Sequence, residues 1–265
     1  MQNIIKALNY QTRRDNFTYI MLVIAIAAMV LVFGMNLSSV PFEELTGGTL
    51  SVNMSDAGFF AFSIFCVLLP ARICGWDFND KTINYELLTG HSKKHIFFGR
   101  VIVSLLWVMG LCAATLILPI LFCTAVNGWG PNVSASGTAM RFAMLIFPVF
   151  RAVCEMILVT FLLRNCYGAM ILGWLGYEFS LVISMAPKDF FYSDLDISLL
   201  FSSSTLTNIL AFSNYKLGYV NGEDVQVFET ALSDLHFYGT IGTSLGVGCL
   251  CLAAAYLLFK KRDMP

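Results

Sequence analysis

Arg151 and Glu155 stand four residues apart inside a long apolar run, Ala139 to Leu163. On a helix that spacing puts both on one face, where a guanidinium and a carboxylate can neutralise each other. Ionised groups are costly at the centre of a hydrocarbon layer, so residues of this kind are functional candidates by default. Two readings stand side by side. The pair is a self-neutralising structural element against the bundle interior, or it lines a path for a polar or peptidic substrate. Glu178 sits in a second apolar run with no partner in that run; it either faces Arg151 or lies near the outer boundary. Arg141 reads as an interfacial residue that needs no special explanation. His91, His95 and His236 are scattered without the spacing of a metal site. The polar residues fall on opposite sides of the expected membrane, so no credible set of Ser, His and Asp nucleophiles forms.

A second stretch, residues 79–100, reads NDKTINYELLTGHSKKHIFFGR. Asn79, Asp80 or Thr82 can cap a helix whose Ile83, Leu87 and Leu88 fall near one face, and Gly90 can close it. His91 to His95 is polar and basic, and Phe97 and Phe98 return to the interface. Such a helix either rests its apolar face on lipid headgroups or docks into a groove on a cytoplasmic partner.

The elements that must position these residues follow from hydropathy. The chain has 265 residues, 57% of them hydrophobic and only 12% charged, where a soluble domain carries about a quarter charged; its mean hydropathy is +0.73. About six runs are long enough to cross a bilayer: residues 17–35, 57–74, 101–126, 139–163, 167–185 and 237–259. The expected fold is therefore an all-α integral membrane protein. It is a single domain, 1–265, with six transmembrane helices, an amphipathic N-terminal helix over residues 2–15, a polar connection at 76–96 and an outer segment at 187–236, too apolar for a solvated loop. The net charge of −1 hides an asymmetry. With both termini in the cytoplasm, Lys6, Arg13, Arg14, Arg72, Lys81, Lys93, Lys94, Arg100, Arg164, Lys260, Lys261 and Arg262 lie inside, against Arg141, Lys188 and Lys216 outside. No basic patch suggests nucleic acid. The eight cysteines fall in or beside apolar runs and read as small buried hydrophobes rather than a disulfide framework. No G-x-x-x-x-G-K-[ST] phosphate loop occurs.

The order Asp77, Asp80, Tyr85-Glu86-Leu87-Leu88-Thr89-Gly90, Ser92-Lys93-Lys94 and Gly99-Arg100 resembles the permease subunits of type-2 ABC exporters, of the kind found in bacterial lantibiotic immunity and drug export. The chain departs from their pattern at Gly90-His91, where a proline turn is usual. The resemblance implies a coupling helix that uses Asp80, Ile83, Tyr85, Glu86, Leu87, Leu88, Lys93 and Lys94. It implies no cofactor on this chain and no enzymatic activity of its own. ATP and magnesium would sit on a separate ATPase subunit, present in two copies. A second permease subunit, identical or related, would complete the assembly in the bacterial cytoplasmic membrane. The substrate would be an amphiphile such as a peptide, an antibiotic or a drug, and short helices in 187–236 would cap its path. The competing expectations are an ion-coupled transporter relaying through Arg151, Glu155 and Glu178, and a non-transporting sensor or assembly subunit.

Overall fold

The computed structural model describes residues 2–39, 41–79, 92–184, 197–212, 214–220 and 223–261. Among these, five helices are long and apolar enough to cross a membrane: α2 (Asn16–Ser39), α5 (Lys93–Asn127), the paired α6 (Ala135–Met144) and α7 (Ile146–Leu163), α8 (Cys166–Ser184) and α10 (Asp234–Lys261). A sixth, α4 (Ser55–Asn79), carries a shorter apolar stretch, Phe60–Trp76. On α2, Ile20, Val23, Ile26, Val30 and Leu31 are 54–65% exposed. So much large apolar surface on one helix requires an apolar surrounding, as in a multi-pass membrane protein.

Local chemistry sets the helix ends. Asp15 precedes α2 and accepts from the Phe17 amide at 3.2 Å, an N-cap. Ser92 does the same for α5 through the His95 amide, and Asn165 for α8 through the Tyr167 and Gly168 amides. Gly128 (φ 78°) and Arg164 (φ 56°) end α5 and α7 with positive φ. The expected single fourth span is interrupted at Leu145. Pro148 explains the break, because it has no N–H to offer the Met144 carbonyl four residues back.

α7 lies at the centre, packed on α4, α8 and α10. One end of the bundle is closed by rings: Phe97 of α5 meets Phe161 of α7 at 5.4 Å and Tyr256 and Phe259 of α10 at 5.4 and 5.8 Å. At the same end, α1 (Gln2–Arg14) buries Ile4, Leu8 and Thr12, spaced by four, and packs on α5. Gly99 makes this approach possible, since a Cβ there would stand 2.9 Å from Ile4 Cγ2. Trp107 donates its indole N–H to Asn9 Oδ1 at 2.9 Å. At the other end, α3 (Gly47–Asn53) docks on the chain after α5 through Gly47 N to Gly128 O (3.0 Å) and Gly48 N to Trp129 O (2.7 Å).

The described residues are overwhelmingly helical, with one short hairpin beside the helices. β1 (Tyr215–Val220) pairs antiparallel with β2 (Glu223–Phe228), from Tyr215↔Phe228 to Val220↔Glu223. The cause is local: Leu217, Tyr219, Val225 and Val227 alternate with polar residues or glycine around Asn221-Gly222, the strongest short-range hairpin signal.

Candidate functional site

The segment before α10 is not a solvated loop. A 3-10 turn (Ile197–Leu200) leads into α9 (Ser202–Leu210), and Ser202, Ser203, Ser204, Thr205, Leu206, Ile209 and Leu210 are all buried. A helix this short leaves nearly half of its backbone groups without intrahelical partners, so burying it demands partners from elsewhere, donors at its C-terminal carbonyls among them. Arg141 supplies donors to the C-terminal carbonyls of α9, and Arg151 supplies them to the carbonyls of the turn that precedes it.

Arg151 is 3% exposed. Its Nη1 donates to the Leu199 carbonyl at 3.1 Å and its Nη2 to the Leu200 carbonyl. Its Nε donates to Glu155 Oε1 at 2.7 Å, closing the ion pair. Glu155 Oε2 accepts from the Ser202 hydroxyl at 2.7 Å. The pair therefore acts jointly on the chain that enters α9, and the buried cation has both a counter-charge and carbonyl acceptors, as its desolvation requires.

Arg141 grips the far end of α9. Nε donates to the Ile209 carbonyl at 2.6 Å, and Nη2 to Asn208 O at 2.9 Å and to Ala211 O. Its guanidinium lies 4.4 Å from the Phe212 ring centroid. A cation at the C-terminal carbonyls of a helix matches the negative end of the helix dipole. The reading of Arg141 as an unremarkable interfacial residue is thus corrected: it is 6% exposed and caps a buried helix. Nothing in the sequence around Arg141 signals this, because its acceptors are main-chain carbonyls some 67–88 residues away.

Between α7, α8 and α9 lies a cavity of about 300 Å³. Arg151, Glu155, Tyr177, Ser180 and Ser202 face it among Val67, Met156 and Leu172. The Ser180 and Ser203 hydroxyls lie 2.6 Å apart, tying α8 to α9. The Glu155 side chain is 32% exposed, so it borders the cavity while bound to Arg151. Glu178 sits on α8, half-buried, and its Oε1 is buried without a hydrogen-bond partner among the described residues. The ion pair of Arg151 is with Glu155. Paired charges and hydroxyls in an apolar wall suit the polar group of an amphiphilic ligand, held by hydrogen bonds rather than by net charge.

The second group of candidates stands at the opposite end. Lys93 and Lys94 open α5, half-buried and exposed respectively, one turn before Phe97, which touches Phe161. Arg151 lies ten residues before Phe161 on α7, about 15 Å along the axis. Asp80, Ile83, Tyr85, Glu86, Leu87 and Leu88 lie outside the described residues, as does most of the connection 76–96. The segment 187–236, expected to lie on the outer side, is described from residue 197 onward except 213 and 221–222.

The ring cluster and the Ile4–Gly99 contact gather Lys6, Arg13, Arg14, Arg72, Lys93, Lys94, Arg164, Lys260 and Lys261 at one end of the bundle. Arg141 and Lys216 are at the other. Neither protein-family models nor curated proteins give a match to this sequence.

Proposed function

We propose that this chain is the membrane-spanning permease subunit of an ATP-driven exporter of the type-2 ABC kind, moving an amphiphilic substrate. The observation that carries the reading is the Arg151–Glu155 pair acting across to α9 beside a cavity that sets a few polar groups in an apolar wall. A short buried helix held by charged side chains is a plug over that space inside an apolar bundle. The residue order from Asp77 to Arg100 adds to it, as does the crowding of basic residues at one end.

On this reading the basic end faces the cytoplasm, α4 is the second of six spans, and both termini are cytoplasmic. The Leu87 and Leu88 face docks on a separate ATPase, present in two copies. A second permease subunit completes the assembly in a bacterial cytoplasmic membrane. The cavity beside Glu155 accepts the polar group of a peptide, antibiotic or drug.

The test is purification of the tagged chain from native membranes in mild detergent, with mass spectrometry of the proteins that accompany it. A stoichiometric ATP-binding subunit, lost in Leu87→Asp/Leu88→Asp, is the expected result. A chain that purifies alone, or with an unrelated membrane protein, overturns the reading in favour of an ion-coupled transporter or a sensor subunit.

A further inference from the structure

Where α1 turns into α2, the basic end of the bundle carries a cleft of its own. Asp15 and Arg72 form a two-pronged ion pair, Nε to Oδ2 at 2.7 Å and Nη2 to Oδ1 at 3.0 Å. The Arg72 guanidinium lies 3.3 Å from the Trp76 ring centroid and 5.5 Å from that of Phe17. Trp76 also meets Tyr167 edge-on at 6.1 Å. Arg14 stacks 4.7 Å over Tyr10. Tyr10, Gln11, Arg14, Asp15, Arg72 and Trp76 line an open space of about 440 Å³.

Three observations bear on what fills it. The first is depth. The apolar span of α2 starts at Asn16 and the apolar stretch of α4 ends at Trp76, so the cleft sits at a membrane–water boundary whichever way the bundle faces. Trp and Tyr gather at that level because one end of each ring is apolar and the other is wet. The second is charge. Arg72 neutralises Asp15, and Arg14 has no carboxylate partner among the described residues. Lys6 and Arg13 are exposed on the same helix, so the described side chains of the cleft and its rim carry net positive charge. The third is donors. The Trp76 indole N–H and the Gln11 amide have no acceptor among the described residues, so two neutral donors stand with the guanidinium.

We infer that this cleft binds the phosphate headgroup of an anionic membrane lipid. Arg14 is the principal cation, Gln11 and Trp76 are neutral donors, and Tyr10 and Trp76 lie beside the upper acyl chain. Arg72 and Asp15 build the wall. Basic residues close to a membrane surface attract acidic lipids, and the aromatic walls and shape of the cleft turn that attraction into a site. The inference needs only that the bundle lies in a bilayer and holds whatever the chain transports.

The experiment uses the full chain in phosphatidylcholine nanodiscs with a minor fraction of phosphatidylglycerol, reading retained lipid by native mass spectrometry. The wild-type chain is expected to retain phosphatidylglycerol over phosphatidylcholine. Arg14→Gln should weaken that retention about fivefold, equivalent to ~1 kcal/mol. Gln11→Glu, which places a carboxylate in the cleft from an exposed position, should weaken it as well and serves if Arg14→Gln folds poorly. Lys261→Gln removes the same charge from the same end outside the cleft and should leave retention within twofold. Equal retention of the two lipids overturns the inference, as does an equal loss in Lys261→Gln. Displacement of the lipid by millimolar inorganic phosphate would make this a site for free phosphate and overturn the lipid assignment.

Discussion

Arg151 and Glu155, one turn apart on α7, share a 2.7 Å ion pair and both bind the chain that enters α9: Arg151 through the carbonyls of Leu199 and Leu200, Glu155 through the Ser202 hydroxyl. The pair is one device with two unequal members. Arg151→Met removes a cation, leaves Glu155 without its counter-charge and strips two carbonyls of their donor. Breaking a buried pair from one side costs about 3–5 kcal/mol. Glu155→Gln keeps a hydrogen-bonding oxygen at a side chain that is one-third exposed, and should cost about 1–3 kcal/mol. The double variant should recover part of the sum. Melting of the four proteins in one detergent gives this cycle, and strict additivity would deny the coupling.

Arg141→Lys keeps the charge at the far end of α9 but cannot reach three carbonyls with a planar fork. Residues 202–210 should then open more often. Hydrogen exchange on that peptide should quicken by more than about tenfold, corresponding to a loss of more than ~1.4 kcal/mol of protection. Exchange on α10 near Tyr256 should stay unchanged. Unchanged exchange at 202–210 would show that α9 is held by its apolar packing alone.

Five long apolar helices are legible in the sequence because hydropathy reports burial in lipid directly, and the Arg151–Glu155 pair because its spacing is local. The grip of Arg141 on Ile209, Asn208 and Ala211 is not legible, since a main-chain carbonyl has no signature in sequence. The Asp15–Arg72 pair crosses 57 positions and is hidden for the same reason. For α9 the sequence shows only a segment too apolar for a loop. Its Ser202-Ser203-Ser204-Thr205 run looks solvated, but Ser202 bonds to Glu155 and Ser203 to Ser180. The hairpin has a plain local signal at Asn221-Gly222, which a composition arguing for helices alone outweighs.

Asp15 should set the acid edge of stability at the α1–α2 junction. Burial alone would raise its pKa. The hydrogen bonds from Arg72 and the Phe17 amide, with the charge of Arg72, outweigh burial and hold it below its ordinary 3.8. A carboxyl depressed in the folded state stabilises the fold above the unfolded value and loses that contribution as pH falls through the folded one. Wild-type melting temperature should therefore fall as pH drops below about 4. Asp15→Asn should start lower at neutral pH and lose less over the same range. Parallel pH profiles for the two proteins would contradict the role assigned to the ion pair.

Gly99 tests how α1 is held. Its bare backbone admits Ile4, and a Cβ would meet Ile4 Cγ2 at 2.9 Å and Leu8 Cδ1 at 3.6 Å. Both neighbours are buried on α1. A branched side chain must therefore push α1 outward rather than nestle against it, and forcing extra carbons into a packed contact costs about 1–3 kcal/mol. Gly99→Val should lower the melting temperature. It should also disturb the Trp107–Asn9 hydrogen bond, which would appear as a shift in tryptophan emission. Gly110 lies on the same helix, and a Cβ added there would meet no atom within 4 Å, so Gly110→Val carries the same propensity change without the clash. If the two variants melt alike, helix propensity alone accounts for the loss, and Gly99 is not what seats α1 on α5.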